Sequence, residues 1–303
     1  MNKCSHVLLV FCVIAFALTA TNAESADTSA NETAKELMAA EEQAGLHPWN
    51  ASVDLTWFPD SDIRNTGGKI GMQEVEAKFG RSYPLAPDFT LSTDFAYSLR
   101  KLDAPDSARL PEELHTLSVK FGGNYQLNKN TALTFLVTPS VNGDFKAIGS
   151  DDIRTQFGIL GRYNASAKLT LLAGIIYRQG SRSFPVRPII GAIYRPNEQW
   201  TLSLAAPRPG VTYSPNQTSS YYISGEFAGT EYQLHDASLG AKIISYRDFR
   251  TLAGAEYILF SAFKVNIAGG YAFDREFVFY DGSRDDVDID DGPFARVGVS
   301  LVW

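Results

Sequence analysis

The sequence predicts an all-β protein: a closed antiparallel transmembrane β-barrel of about fourteen strands, with about twelve as the alternative count. Three observations predict it. Segments of about ten residues alternate apolar and polar side chains along most of the chain. The connections between those segments alternate between short and long. The final stretch, Arg296-Val297-Gly298-Val299-Ser300-Leu301-Val302-Trp303, is one more alternating segment that runs to a terminal aromatic.

From the N-terminus, Lys3 supplies a positive charge and Val7 to Leu18 an apolar run. That run has the length of a signal-peptide core and is too short for a membrane helix. Thr21-Asn22-Ala23 is a small-residue cleavage site, so residues 1–23 are expected to be a signal peptide. Both cysteines, Cys4 and Cys12, lie within it, which leaves the exported chain without a disulfide or thiolate site. Residues 24–48 form a second segment, expected in the periplasm and either helical or disordered. Ser29-Ala30-Asn31-Glu32 fits a capping box and Gly45 a C-cap, which predicts a short helix from about Asn31 to Ala44. Its apolar stripe of Ala34, Leu37 and Met38 is thin, so a solvated leader and a plug entering the barrel are both open readings.

Residues 49–303 are assigned to the barrel. Phe89, Leu91, Thr93, Phe95, Tyr97 and Leu99 alternate with Thr90, Ser92, Asp94, Ala96 and Ser98. Leu117 to Leu127 and Ile153 to Asn164 follow the same period of two. The prolines are read as lying in loops or at strand ends. Short connections fall at Asn128–Asn130, Asn164–Ala167, Arg195–Gln199, His235 and Phe260–Ala262. Longer ones fall at Pro59–Gly67, Arg100–Glu113, Asn142–Asp151, Arg178–Val186, Pro207–Ser219 and Asp281–Gly292. Tyr83–Pro87 is long for a periplasmic turn, and Tyr246–Arg250 short for an outer loop. Short periplasmic turns and longer outer loops are the habit of outer-membrane barrels, and this parity puts both termini in the periplasm. Aromatics sort into two girdles, with Tyr125, Tyr163, Tyr194, Trp200, Tyr257, Phe263 and Trp303 on the short-turn side. Trp57, Tyr97, Tyr177, Tyr221 and Tyr246 are placed on the long-loop side.

Arg296, Gly298, Leu301 and Trp303 resemble the C-terminal signal that the bacterial barrel-assembly machinery reads. The stretches Pro188-Ile189-Ile190-Gly191-Ala192-Ile193-Tyr194-Arg195-Pro196, Trp200-Thr201-Leu202-Ser203-Leu204, Pro207-Arg208-Pro209 with Tyr213, and Gly269-Gly270-Tyr271-Ala272-Phe273-Asp274-Arg275 carry a second likeness. Together they resemble a bacterial outer-membrane β-barrel family catalogued only as a domain of unknown function, over roughly Asn50 to Trp303. The resemblance implies the fold and supplies no activity and no functional residues.

The formal net charge of −7 comes with no basic run, so nucleic acid is not an expected partner. The expected location is the bacterial outer membrane. The expected partners are outer-membrane lipid and lipopolysaccharide, periplasmic chaperones and the barrel-assembly machinery. No cofactor is implied. His235-Asp236 beside Ser238 brings hydrolase residue types together, but neighbours on a strand point to opposite faces. There is no Gly-x-Ser-x-Gly elbow and no His-Glu-x-x-His motif, so no catalytic residues are assigned. The run Asp285-Asp286-Val287-Asp288-Ile289-Asp290-Asp291-Gly292 offers Asp286, Asp288 and Asp290 as candidate calcium ligands. The alternative is a solvated outer loop.

Alternation assigns Asp94, Lys120, Arg154, Gln156, Arg162, Lys242, Glu256, Lys264 and Asn266 to the interior as pore-lining candidates. Arg or Lys facing lipid at mid-depth would cost about 2–4 kcal/mol, which sets the direction. Gly122, Gly158, Gly240 and Gly270 leave room between them. The cationic bias of this set predicts anion preference in an open lumen. The expected role is a narrow channel or passive transporter of small solutes, without catalysis. A plugged structural or adhesive barrel, a membrane-embedded hydrolase and a secreted β-sandwich are the rival readings.

Overall fold

The computed structural model describes residues 48–303, apart from residues 183–184, 206–207 and 261. The predicted signal peptide and the predicted N-terminal helix lie outside the described residues.

The strands run in chain order. They are β1 (Trp49–Asp62), β2 (Lys69–Ala86), β3 (Phe89–Asp103), β4 (Glu113–Asn128), β5 (Thr131–Gly143), β6 (Ile153–Asn164), β7 (Leu169–Arg178), β8 (Val186–Tyr194), β9 (Trp200–Ser203), β10 (Gly210–Tyr213), β11 (Ser219–Gln233), β12 (Ile243–Leu259), β13 (Phe263–Tyr280), β14 (Val287–Ile289) and β15 (Gly292–Val302). Each wall strand pairs antiparallel with the next, and β15 lies between β13 and β1. β14 pairs with β13 and through one bridge with Ile63, and is not a strand of the wall, which leaves a closed barrel of fourteen strands. Closure is what a membrane demands, because an open sheet edge in lipid leaves backbone groups without partners.

The period of two sets the two faces. On β1, Val53, Leu55 and Trp57 point out, while Thr56 and Phe58 are buried inside. Phe79, Phe95, Phe121, Phe135, Phe157 and Ile159 continue the exposed apolar surface from strand to strand. In water so broad a patch would drive association, whereas in a bilayer it is the lipid contact. The termini meet at the short-turn end: Trp49 and Trp303 exchange backbone hydrogen bonds of 3.0 and 3.1 Å, and their rings stack 6.4 Å apart. Leu301 and Trp303 face outward, whereas Arg296 and Gly298 face the lumen.

The strand path departs from the sequence reading in one region. Pro207–Ser219 is not one long loop, because β10 crosses it and residues 214–218 form a short turn at the end where the termini meet. Tyr246–Arg250 is not a loop but part of β12, and His235 lies in the outer connection 234–242. The run reads as a turn because it is polar. It stays a strand because Tyr246, Asp248 and Arg250 find partners inside the lumen. One strand lost and one gained leave the count unchanged. Consequently Tyr221 belongs to the short-turn girdle, where its hydroxyl meets that of Tyr257 at 3.1 Å, and Tyr246 is buried. Pro139 also sits inside β5, at a place where pairing between β4 and β5 skips from Ser118↔Ser140 to Phe121↔Val137. That interruption is what a proline inside a sheet brings, since it has no N–H to give the ladder.

Candidate functional site

The lumen is stacked in three levels. Nearest the short-turn end, where the termini meet, is a cavity of about 390 Å³. Its lowest walls are Ser52, Glu256, Lys264 and Ser300, close to the short-turn ends of β1, β12, β13 and β15. The acids Asp54, Glu74, Glu76, Glu226 and Glu256 line it together with Lys78, Arg100, Arg208, Arg250, Lys264 and Arg296.

Above the cavity, charged side chains cross the lumen as a belt. Strand alternation on β2 aims Glu74 inward, where it accepts from Arg100 Nη2 at 2.8 Å and from Arg250 Nη1 and Nη2 at 2.9 Å. Arg250 also donates from Nε to Asp248 at 2.9 Å, and Tyr246 Oη donates to the same carboxylate at 2.7 Å. Arg100 reaches Tyr232 Oη at 2.9 Å. Arg296 binds Glu226 with both terminal nitrogens, at 3.0 and 2.6 Å, and Thr56 Oγ1 through Nε at 3.0 Å. Such two-pronged pairing fixes the side chains and ties strands that are not neighbours in the wall.

The outer level is apolar. Phe58, Ile70, Met72, Leu102, Leu114, Ile244, Phe277 and Phe294 pack together with at most 5% exposure. β14 completes this plug, since Val287 and Ile289 are fully buried and Ile63 bridges to Ile289. The alternation in the acidic run is therefore that of a short strand. Asp286, Asp288 and Asp290 lie two residues apart on an extended chain, about 6–7 Å apart. Asp290 is held by Arg64 at 2.6 Å and Asp286 accepts from Phe279 N–H at 2.9 Å. Among the described residues no group of three His, Cys, Asp or Glu side chains is placed to hold a metal.

The predicted interior residues separate into groups. Glu256, Lys264 and Asn266 line the cavity, with Lys264 Nζ 3.4 Å from Glu256 and Asn266 hydrogen-bonded to Tyr222 and Glu256. Asp94 and Lys120 form an ion pair of 2.9 Å between β3 and β4. Arg154, Gln156 and Arg162 face inward from β6, away from the cavity, and Arg154 pairs with Glu231. Lys242 is exposed in the outer connection and faces no lumen, and Gly240 ends a short 3-10 turn there at φ 75°. Sequence reasoning missed Glu74, Arg100, Glu226, Asp248 and Arg250. Glu74 was legible, since Met72, Glu74, Glu76 and Lys78 alternate with Gln73, Val75, Ala77 and Phe79. Arg250 and Asp248 were hidden in the stretch read as a loop.

At the outer rim, His235 Nε2 lies 2.9 Å from Asp152, while Ser238 Oγ donates to Asp236 rather than to the histidine. Asp236 also pairs with Lys146. The hydrogen bonds from Lys146 and then Ser238 hold its carboxyl down to about 2. A depressed carboxyl stabilises the folded loop above its unfolded value of about 3.9 and loses that effect as pH falls towards about 2. The Ser238 amide resonance is therefore expected to move as pH falls from about 4 to about 2, and to stay fixed in Asp236→Asn. A wild-type midpoint near 4 removes the assignment.

A family model described as Domain of unknown function (DUF6268) matches residues 88–287. No curated protein matches the chain. Among solved structures, the chain is similar to an outer membrane channel from Pseudomonas putida F1, at 11% identity and a TM-score of 0.49, over 86% of this chain and 98% of that one. It is similar to a Pseudomonas aeruginosa FadL homologue at 8% identity and 0.46, over 86% and 91%. The translocator domain of the autotransporter NalP from Neisseria meningitidis gives 12% and 0.42, over 91% and 96%.

Proposed function

The chain belongs to the DUF6268 family, whose description carries no activity, and we propose that it is a non-catalytic outer-membrane passage for small polar solutes, closed in the state described. The observation that carries this reading is the polar cavity of about 390 Å³ inside a closed barrel. Its lining of balanced charge suits diffusion of small hydrophilic molecules. A solute enters from the periplasmic side, meets the belt of Glu74, Arg100 and Arg250, and is stopped by the apolar plug. Opening then requires the plug to move, and β14 is its smallest part. A second reading is a permanently plugged structural barrel, favoured by the full burial of Val287 and Ile289.

The test is single-channel recording of the refolded protein in a planar bilayer, with heat-modifiable gel migration to verify the barrel. Infrequent conductance steps are expected. The near-balance of acids and bases in the cavity replaces the anion preference expected from the sequence, so reversal potentials in a salt gradient should lie close to zero. A folded wild type that never conducts at any voltage, together with a plug variant that also stays silent, would establish the structural reading instead.

A further inference from the structure

We propose that the barrel wall has a side opening between β8 and β11, facing the outer half of the membrane, and that it binds an anionic amphiphile entering from the lipid. The proposal rests on wall geometry and stands whether or not solutes pass along the barrel axis.

A membrane strand needs about 9–11 residues, but β9 and β10 have 4 each. The two strands therefore end partway across the bilayer. β8 pairs with β9 only at Ile193 and Tyr194, extended by one hydrogen bond from Leu204 N to Ala192 O. β11 pairs with β10 only over Tyr221–Ser224, extended by Gly225 N to Pro209 O. Among the described residues, 186–191 of β8 and 226–232 of β11 have no strand on these facing edges. At about 3.3 Å per residue the gap is about 17–20 Å tall. Ala205, just past β9, tucks inward, since a Cβ on Gly191 would overlap it.

The outer end of β11 does not stay in the wall to close this gap. Gln233 pairs in parallel with Gly143 of β5, and Asp144 N donates to Gln233 O at 3.2 Å. Glu231 and Tyr232 point to opposite faces of β11, yet they are only 1% and 3% exposed. The strand has leaned across the lumen towards β5, so both its faces are covered. An open edge in lipid is costly unless something occupies it.

The rim and the interior of the gap define the occupant. Ile190 and Ile223 are 79% and 68% exposed, against 46% for the neighbouring lipid-facing Ile175 and 43% for Tyr221. Leu204 adds a third apolar rim residue. Behind the rim, near the outer ends of their strands, Arg154, Arg178 and Arg187 stand around Glu231. Deeper towards mid-membrane the inner face of the same wall is apolar. Positive charge at headgroup level over apolar surface at tail level fits an acidic head and a hydrocarbon tail, in the orientation of an outer-leaflet lipid. Carboxylate and phosphate heads share this chemistry.

The test is photolabelling of the wild-type barrel in neutral phosphatidylcholine bilayers. The probes are a photoreactive long-chain carboxylate, the matching alkyl phosphate and the matching alcohol. Labels from both acids are expected at Ile190, Leu204 and Ile223, at least about tenfold above the alcohol, the ratio of a single charge-assisted contact. Enrichment of only one acid identifies the head as carboxylate or phosphate. Arg187→Gln, verified as folded by heat-modifiable migration, should bring acid labelling down to the alcohol level. Equal labelling by acid and alcohol, or labels spread evenly over the β1–β4 face, overturns the proposal. The wild-type map decides the matter even if the variant fails to fold.

Discussion

Arg250→Ala is expected to lower the stability of the folded barrel by about 3–5 kcal/mol, the range for removing one partner from a buried ion pair. Arg250 is 3% exposed and serves Glu74, Asp248 and, at 3.7 Å, Glu226. Its loss leaves several carboxylates facing one another in a space that water reaches poorly. Arg100 still holds Glu74 and Arg296 still holds Glu226, so the barrel should form but unfold at lower urea. Arg250→Lys keeps the charge yet cannot engage Glu74 and Asp248 at once with a planar fork, and should fall between wild type and Ala. Urea unfolding in lipid vesicles, followed by gel migration, measures all three. A loss below about 1 kcal/mol for Arg250→Ala would mean that the belt is solvated and of little structural weight.

Phe58→Ala is expected to have two effects. Phe58 is fully buried between the belt and the plug, with its ring 5.4 Å from that of Phe294. The guanidinium groups of Arg250 and Arg275 lie 4.8 and 5.1 Å from its ring centre. Truncating a buried Phe typically costs about 3–5 kcal/mol, part of it for the cavity left behind. The same cavity joins the polar chamber to the apolar level above it. Larger and more frequent conductance steps than wild type are therefore expected in the bilayer. Loss of stability without any gain in conductance would show that the plug blocks along its whole depth and does not gate at Phe58.

Alternation made β1, β3, β4 and β6 readable, because each strand meets lipid on one face and the lumen on the other, and a period of two is the direct record of that. Where the chain leaves that pattern, local spacing no longer identifies the strand. Tyr246 to Arg250 looks like a loop because its inward side chains are charged or hydroxylated. Asp248, Arg250 and Tyr246 are tolerable in a strand only because Glu74 and Arg100 stand opposite, contributed by strands far away in sequence. The acidic run was readable as alternating but not as a strand, since nothing local says that Val287 and Ile289 turn into the lumen.

What the sequence by itself determined is the class and the outward faces of the strands that alternate cleanly, because these follow from local periodicity and from the length needed to cross a bilayer. What only the tertiary structure decided is the state of the lumen. Whether an inward charge lines a cavity, as Lys264 does, or pairs away from it, as Lys120 does, depends on which strand lies across the barrel. The same holds for the plug and for the gap above the β9–β10 hairpin. The gap arises where β11 leans across to β5, a contact between residues about ninety apart, and the plug is completed where Val287 and Ile289 of β14 are buried in the lumen; no local pattern records either.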